Sequence, residues 1–114
     1  MSAFEDVAGA ADVAEGAMLD VTLTDGTPVC LFRLHGVIGA VGNICTHSEF
    51  LMSDGFLNPD GTIECGWHGA RFDCRTGAVK RQPAPAPLPV YLVRVDGERV
   101  LIGDRVQPVQ ERAS

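Results

Sequence analysis

No lysine or arginine precedes Arg33, and none occurs between Leu34 and Ala70. A chain with such gaps has no basic arm for nucleic-acid phosphates or an anionic membrane surface, and its formal net charge of -6 argues the same way. Long apolar runs are missing too. The longest, Gly36 to Cys45, is about ten residues, is broken by glycines and Asn43, and falls short of the roughly 20 that span a bilayer. The opening residues, MSAFEDVAGAADVAEGAMLD, lack the basic region and apolar core of a secretory signal, so a cytoplasmic location is expected. No stretch of ten or more residues carries a core-facing helical stripe. With 114 residues there is room for one compact domain and none for a separate catalytic one.

The charge that is present is unevenly placed. Glu5, Asp6, Asp12, Glu15, Asp20 and Asp25 account for the whole net charge, because from Gly26 onward nine acids balance nine bases. Within the balanced part, Leu34 to Ala70 holds Glu49, Asp54, Asp60 and Glu64, whereas Arg71, Arg75, Lys80 and Arg81 follow at once against Asp73 alone.

Short runs of β character separated by turn signals predict an all-β fold. Ala17 to Leu23 and Thr27 to Leu34 flank Thr24-Asp25-Gly26, Val37 to Val41 follows His35-Gly36, and Val90 to Val95 and Glu98 to Ile102 bracket Asp96-Gly97. Between these hairpins, Gly42 to Pro89 is rich in Gly, Pro, Asn and Asp, with apolar pieces at Phe56-Leu57, Thr62 to Cys65 and Ala70 to Asp73. Loops of that length in a small domain are usually functional or disordered. Proline at every second position from Pro83 to Pro89 predicts a stiff extended connector covering the loop region, and the polar tail from Gly103 to Ser114 is expected to fray.

Chemistry concentrates in Cys45-Thr46-His47 and Cys65-Gly66-Trp67-His68, with Asn58-Pro59-Asp60-Gly61 reversing the chain between them. Two thiolates and two imidazoles suit zinc or a [2Fe-2S] cluster. Structural zinc sites usually gather cysteines in one knuckle and histidines in another. Here each loop supplies one of each, which fits a binuclear site with both cysteines on one iron and both histidines on the other. Cys30, alternating within a strand, reads as a buried apolar thiol, and Cys74, beside the Thr76-Gly77 turn, as a similar or partly exposed one; four cysteines in a reducing compartment are not expected to form two disulfides. His35 reads as a turn residue.

These motifs, with Gly69-Ala70-Arg71-Phe72-Asp73 and Thr76-Gly77 after them, resemble the Rieske iron-sulfur proteins, in which His replaces Cys on one iron. The resemblance covers roughly residues 37 to 92. It implies a single domain over 1–114, an antiparallel β base with a smaller cluster-binding subdomain over about 42–84, and one [2Fe-2S] cluster held by Cys45, His47, Cys65 and His68. Respiratory and photosynthetic members carry an extra cysteine in each loop. Phe50 and Trp67 stand there instead, so the loop-to-loop disulfide is absent and an aromatic clasp is expected in its place. High-potential members place Ser and Tyr where this chain has Ala70 and Phe72. Losing both hydroxyl donors implies a potential near the low end of the Rieske range, about -150 mV.

Low potential and a missing disulfide resemble the ferredoxins of multicomponent aromatic-ring-hydroxylating dioxygenases. The resemblance implies a monomeric electron carrier between an NADH-dependent flavin reductase and a terminal Rieske oxygenase in aromatic hydrocarbon catabolism, with no catalysis of its own. The alternatives are a Rieske-like small subunit of assimilatory nitrite reductase, a group whose members often lack the ligands, and a zinc-stabilised interaction module.

Overall fold

The computed structural model describes residues 4–46, 49–66, 69–81 and 86–106. Among the described residues ten strands form two antiparallel sheets: β1 (Glu5–Gly9), β2 (Met18–Thr22), β3 (Pro28–Leu34), β4 (Val37–Gly42), β5 (Phe56–Leu57), β6 (Thr62–Glu64), β7 (Arg71–Asp73), β8 (Val79–Arg81), β9 (Val90–Asp96) and β10 (Arg99–Val106). The larger sheet has the order β1-β10-β9-β4-β3-β2, and the smaller is the meander β5-β6-β7-β8. Among the described residues the only helical pieces are 3-10 turns at Ala10–Asp12 and Met52–Asp54.

Alternation along β3 explains how the layers stack. Val29 and Leu31 point to one side, into a core shared with Ala8, Val13, Ala40, Val100 and Ile102. That core draws side chains from every strand of the larger sheet, which is therefore rolled around it. Glu5 fastens the two edges, accepting from the Thr24 amide at 2.7 Å and the Thr24 hydroxyl at 3.2 Å. Cys30 and Phe32 point the other way, into a second core with Val41, Met52, Ile63, Phe72 and Leu88. The smaller sheet covers this outer face through one cross-strand row, Leu57–Ile63–Phe72–Val79.

The hairpins fall where the turn residues put them. His35 and Gly36 both take positive φ, 52° and 79°, as a two-residue type I′ turn requires. The Glu15 carboxylate holds this turn by accepting from the His35 amide at 2.7 Å and the Gly36 amide at 2.8 Å.

Three segments differ from the sequence expectation. β1 lies in the acidic leader and finds its partner at the far end of the chain, where Arg99 grips Asp6 with both Nε and a terminal nitrogen at 2.7–3.0 Å. β8 is a charged edge strand, and charge on an edge blocks further pairing. The tail is not frayed from Gly103, because β10 continues past a bulge to pair Arg105 with Tyr91 and Val106 with Val90. Residues 107–114 lie outside the described residues.

Candidate cluster-binding site

Two loops with the same closure sit side by side at one end of the smaller sheet. In the first, Ile44 and Leu51 form an isolated antiparallel bridge, and the Cys45 amide donates to the Phe50 carbonyl at 2.9 Å. In the second, the β6–β7 hairpin, the Cys65 amide donates to the Ala70 carbonyl at 2.8 Å and the Gly69 amide returns to the Cys65 carbonyl at 3.1 Å. Each cysteine thus stands at the mouth of a loop that its own amide closes five residues on.

The loops touch at two glycines. A Cβ on Gly55 would lie 2.0 Å from the Glu64 carbonyl oxygen and 3.0 Å from the Gly66 nitrogen, so only glycine allows that approach. Gly69, at φ 76°, holds a left-handed conformation that favours glycine. Gly66 has neither need, since a Cβ there would meet its neighbours at ordinary distances of 3.4 Å or more.

The first loop is anchored from below by Asn43, the one fully buried polar side chain among the described residues. Its Nδ2 donates to Asp20 Oδ1 at 2.9 Å and to Ser53 Oγ at 3.0 Å, and its Oδ1 accepts from the Ser53 amide at 2.8 Å. It is held from above by Thr46, whose hydroxyl donates to the Ala86 carbonyl at 2.7 Å. Ala86 belongs to the described part of the proline-rich connector, 86–89, which meets the loop here. The connector is pinned in turn at buried Leu88, whose amide donates to the Gly77 carbonyl at 2.9 Å. Beneath the second loop, Glu64 Oε1 accepts from Arg71 Nε at 2.9 Å and from Asn58 Nδ2 at 3.2 Å, tying together the strands that carry the hairpin.

None of the four cysteines is in a disulfide. Cys45 and Cys65 are 2% and 0% exposed and stand on the two loops. Burial pushes the Cys30 thiol up to about 12, with Asp20 adding to the rise, and pushes Cys74 up to about 11 with help from Asp73. Those two are held as neutral thiols inside the protein, as the sequence reading expected for Cys30; for Cys74 the burial decides for the first of its two readings. His47, Trp67 and His68 lie outside the described residues, and the Phe50–Trp67 clasp with them. His35 is a turn residue whose Nε2 meets the Pro59 carbonyl at 3.1 Å, tying the base to the β5–β6 turn. Asn43 was missed as a site residue. It lies two positions before Cys45 in an apolar stretch, and its partners come from 23 and 10 residues away.

The family model for the Rieske [2Fe-2S] domain matches residues 3–92. The chain belongs to the Rieske [2Fe-2S] domain family. Its cofactor is one Rieske-type [2Fe-2S] cluster, and two buried, unbridged thiols on facing loops fit the thiolate half of that group's ligands. Among curated relatives, this Rieske chain is 40% identical over 91 residues to the ferredoxin component of a naphthalene 1,2-dioxygenase system from Pseudomonas aeruginosa, covering 80% of this chain and 86% of the relative. It is 39% identical over 100 residues to the ferredoxin component of a p-cumate 2,3-dioxygenase system from Pseudomonas putida, covering 86% and 83%. Among solved structures it resembles one of a complex of reduced oxygenase and oxidized ferredoxin in carbazole 1,9a-dioxygenase, with a TM-score of 0.80, 29% identity and coverage of 87% and 91%. Among the described residues no helix is long and apolar enough to cross a membrane.

Proposed function

We propose that this chain is the one-electron carrier of an aromatic-ring-hydroxylating dioxygenase system, receiving electrons from an NADH-dependent flavin reductase and passing them to the Rieske centre of a terminal oxygenase. Cys45 and Cys65 bind one iron as thiolates and His47 and His68 bind the other. The whole chain acts as a single domain, with the cluster-binding part at about residues 42–84, and works as a cytoplasmic monomer. The observation that carries this reading is the pair of matched loops, each presenting one buried cysteine at its closed mouth.

When bound, the cluster takes up and releases a single electron. The chain's own residues hold and shield it. Asn43 and Thr46 fix the first loop from two sides, the Glu64–Arg71 pair fixes the second, and buried Ala70 and Phe72 keep the surroundings apolar.

The test begins with composition. Purified protein should hold iron and acid-labile sulfide in equal amounts and be red-brown. Cys45→Ser, His47→Ala, Cys65→Ser and His68→Ala should each abolish the colour, while Cys30→Ala and Cys74→Ala should keep it. A colourless zinc protein overturns the site. Reconstitution with NADH, a flavin reductase and an aromatic-ring oxygenase should give turnover that stops when this protein is omitted. A red-brown protein that supports only nitrite reduction leaves the ligands standing and overturns the partners.

A further inference from the structure

We infer that the Glu64–Arg71 ion pair tunes the reduction potential of the cluster, with the Glu64 carboxylate as the negative end turned toward the second cysteine loop and Arg71 as the counter-charge that limits its effect. This rests on the carrier reading and gives an electrostatic role to a pair that also braces the hairpin.

Glu64 is joined to Cys65 by a peptide bond, and Arg71 follows Ala70, whose carbonyl takes the Cys65 amide at 2.8 Å. The two stand opposite each other on β6 and β7, as the last pair before the loop. Oε1 of Glu64 accepts from Arg71 Nε at 2.9 Å and from Asn58 Nδ2 at 3.2 Å, and Asn58 is itself held by donating to Thr62 Oγ1 at 3.1 Å. Oε2 faces the loop. It lies 3.7 Å from where a Cβ on Gly69 would stand, and no atom of Arg71 comes within 4 Å of that point. The pair is therefore oriented, with its anion against the loop backbone and its cation gripping the other oxygen.

Burial strengthens the effect. The Glu64 side chain is 18% exposed and that of Arg71 34%, so water screens the carboxylate less than it screens a surface charge. Reduction adds one negative charge to what the loops hold; a fixed anion beside them disfavours that, and a cation favours it. A carboxylate nearer than its partner leaves a net pull toward low potential. Bracing alone does not need these charges, because two neutral side chains hydrogen-bonded across positions 64 and 71 would also tie the strands.

Redox titration of the purified holoprotein at pH 7, with mediator dyes and cluster absorbance as the readout, tests this. Glu64→Gln keeps an oxygen to accept from Arg71 and Asn58 while removing the charge, and should raise the midpoint by about a threefold change in the reduction equilibrium, about 30 mV at 59 mV per tenfold. Arg71→Gln should lower the midpoint by a smaller change, about twofold, and Arg71→Lys should restore the wild-type value. The double variant Glu64→Gln with Arg71→Gln should fall between wild type and Glu64→Gln.

A merely structural pair would speed cluster loss to an iron chelator in both single variants and move both midpoints the same way. Asp96→Asn and Glu98→Gln each remove one negative charge at the β9–β10 turn, about 20 Å along β9 from Val90, which packs on the core under the loops, and should leave the midpoint unchanged. Midpoint shifts of one sign in Glu64→Gln and Arg71→Gln, no shift in either, a double variant at or below wild type, or an equal shift from the distant charges overturns the tuning role. If Glu64→Gln loads no cluster, Arg71→Gln against Arg71→Lys decides, a lowered midpoint in the first alone supporting the role and equal midpoints overturning it. Absence of a cluster in the wild-type protein overturns the carrier reading instead.

Discussion

Asn43 offers the sharpest test of how the first loop is held. Asn43→Ala removes three side-chain hydrogen bonds, to Asp20 Oδ1, Ser53 Oγ and the Ser53 amide, from a fully buried position. At about 1 kcal/mol for each bond, the loss is about 3 kcal/mol. For a chain of this length that lowers Tm by about 12 °C. It is a large share of the roughly 5–15 kcal/mol that holds a typical domain together.

A swap isolates the Asp20 contact. Asn43→Asp puts a carboxylate opposite the Asp20 carboxylate, turning a 2.9 Å hydrogen bond into a like-charge contact, and should be no more stable than the alanine variant at pH 7. Adding Asp20→Asn restores a donor across the gap, and the double variant should recover about 1–2 kcal/mol relative to the sum of the singles. Urea unfolding followed by circular dichroism reads stability, and cluster absorbance under an iron chelator reads loop integrity. An alanine variant that loses less than about 1 kcal/mol, or a swap without coupling, refutes the reasoning.

Thr46→Val removes the donor to Ala86 while keeping side-chain volume, so chelator-driven cluster loss should speed up with stability lowered by about 1 kcal/mol, and Thr46→Ser should restore both. Ala70→Ser or Phe72→Tyr places a hydroxyl where the buried surroundings now offer none, and each should raise the midpoint by about 40 mV, since 59 mV is tenfold for one electron. A wild-type midpoint above about +100 mV would sink that account of the apolar site. Glu15 is held below its ordinary range by the amides of Gly36 and then His35, so its stabilising effect is fully present above the unfolded value near 4.5 and disappears as pH falls through the lowered folded value. The difference in urea midpoint between wild type and Glu15→Gln should therefore be present at pH 7 and vanish in acid.

Legibility followed sequence distance. The hairpins β2–β3, β3–β4 and β9–β10 were readable because their turns, Asp25-Gly26, His35-Gly36 and Asp96-Gly97, sit between their own partners. β1 was not, since it is a strand only by virtue of β10, 93 residues from Asp6 at the Arg99 contact. β8 was hidden by its charge, since Lys80 and Arg81 carry no apolar alternation although Val79 pairs with Phe72. At the site, both cysteine loops stood out because ligand types are rare and locally spaced. Asn43 did not, because nothing local distinguishes a buried amide that meets Asp20 and Ser53 from an ordinary turn residue.

The matched loop closures also bear on why the resemblance points to a low potential. A cluster becomes more negative on reduction, so donors aimed at its sulfur stabilise the reduced form and raise the potential. In this chain the cysteine amides are already committed, Cys45 to Phe50 and Cys65 to Ala70, each within its own loop. Thr46, the hydroxyl nearest in sequence to Cys45, is turned to the Ala86 carbonyl. Ala70 and Phe72, both buried, have no side-chain donor to add. Among the described residues, these groups are spent on holding the loops. Thr46→Val, which deletes the hydroxyl together with its bond to Ala86, should therefore loosen the loop and leave the midpoint where it is, a separation read when the midpoint and the rate of cluster loss are measured on the same sample.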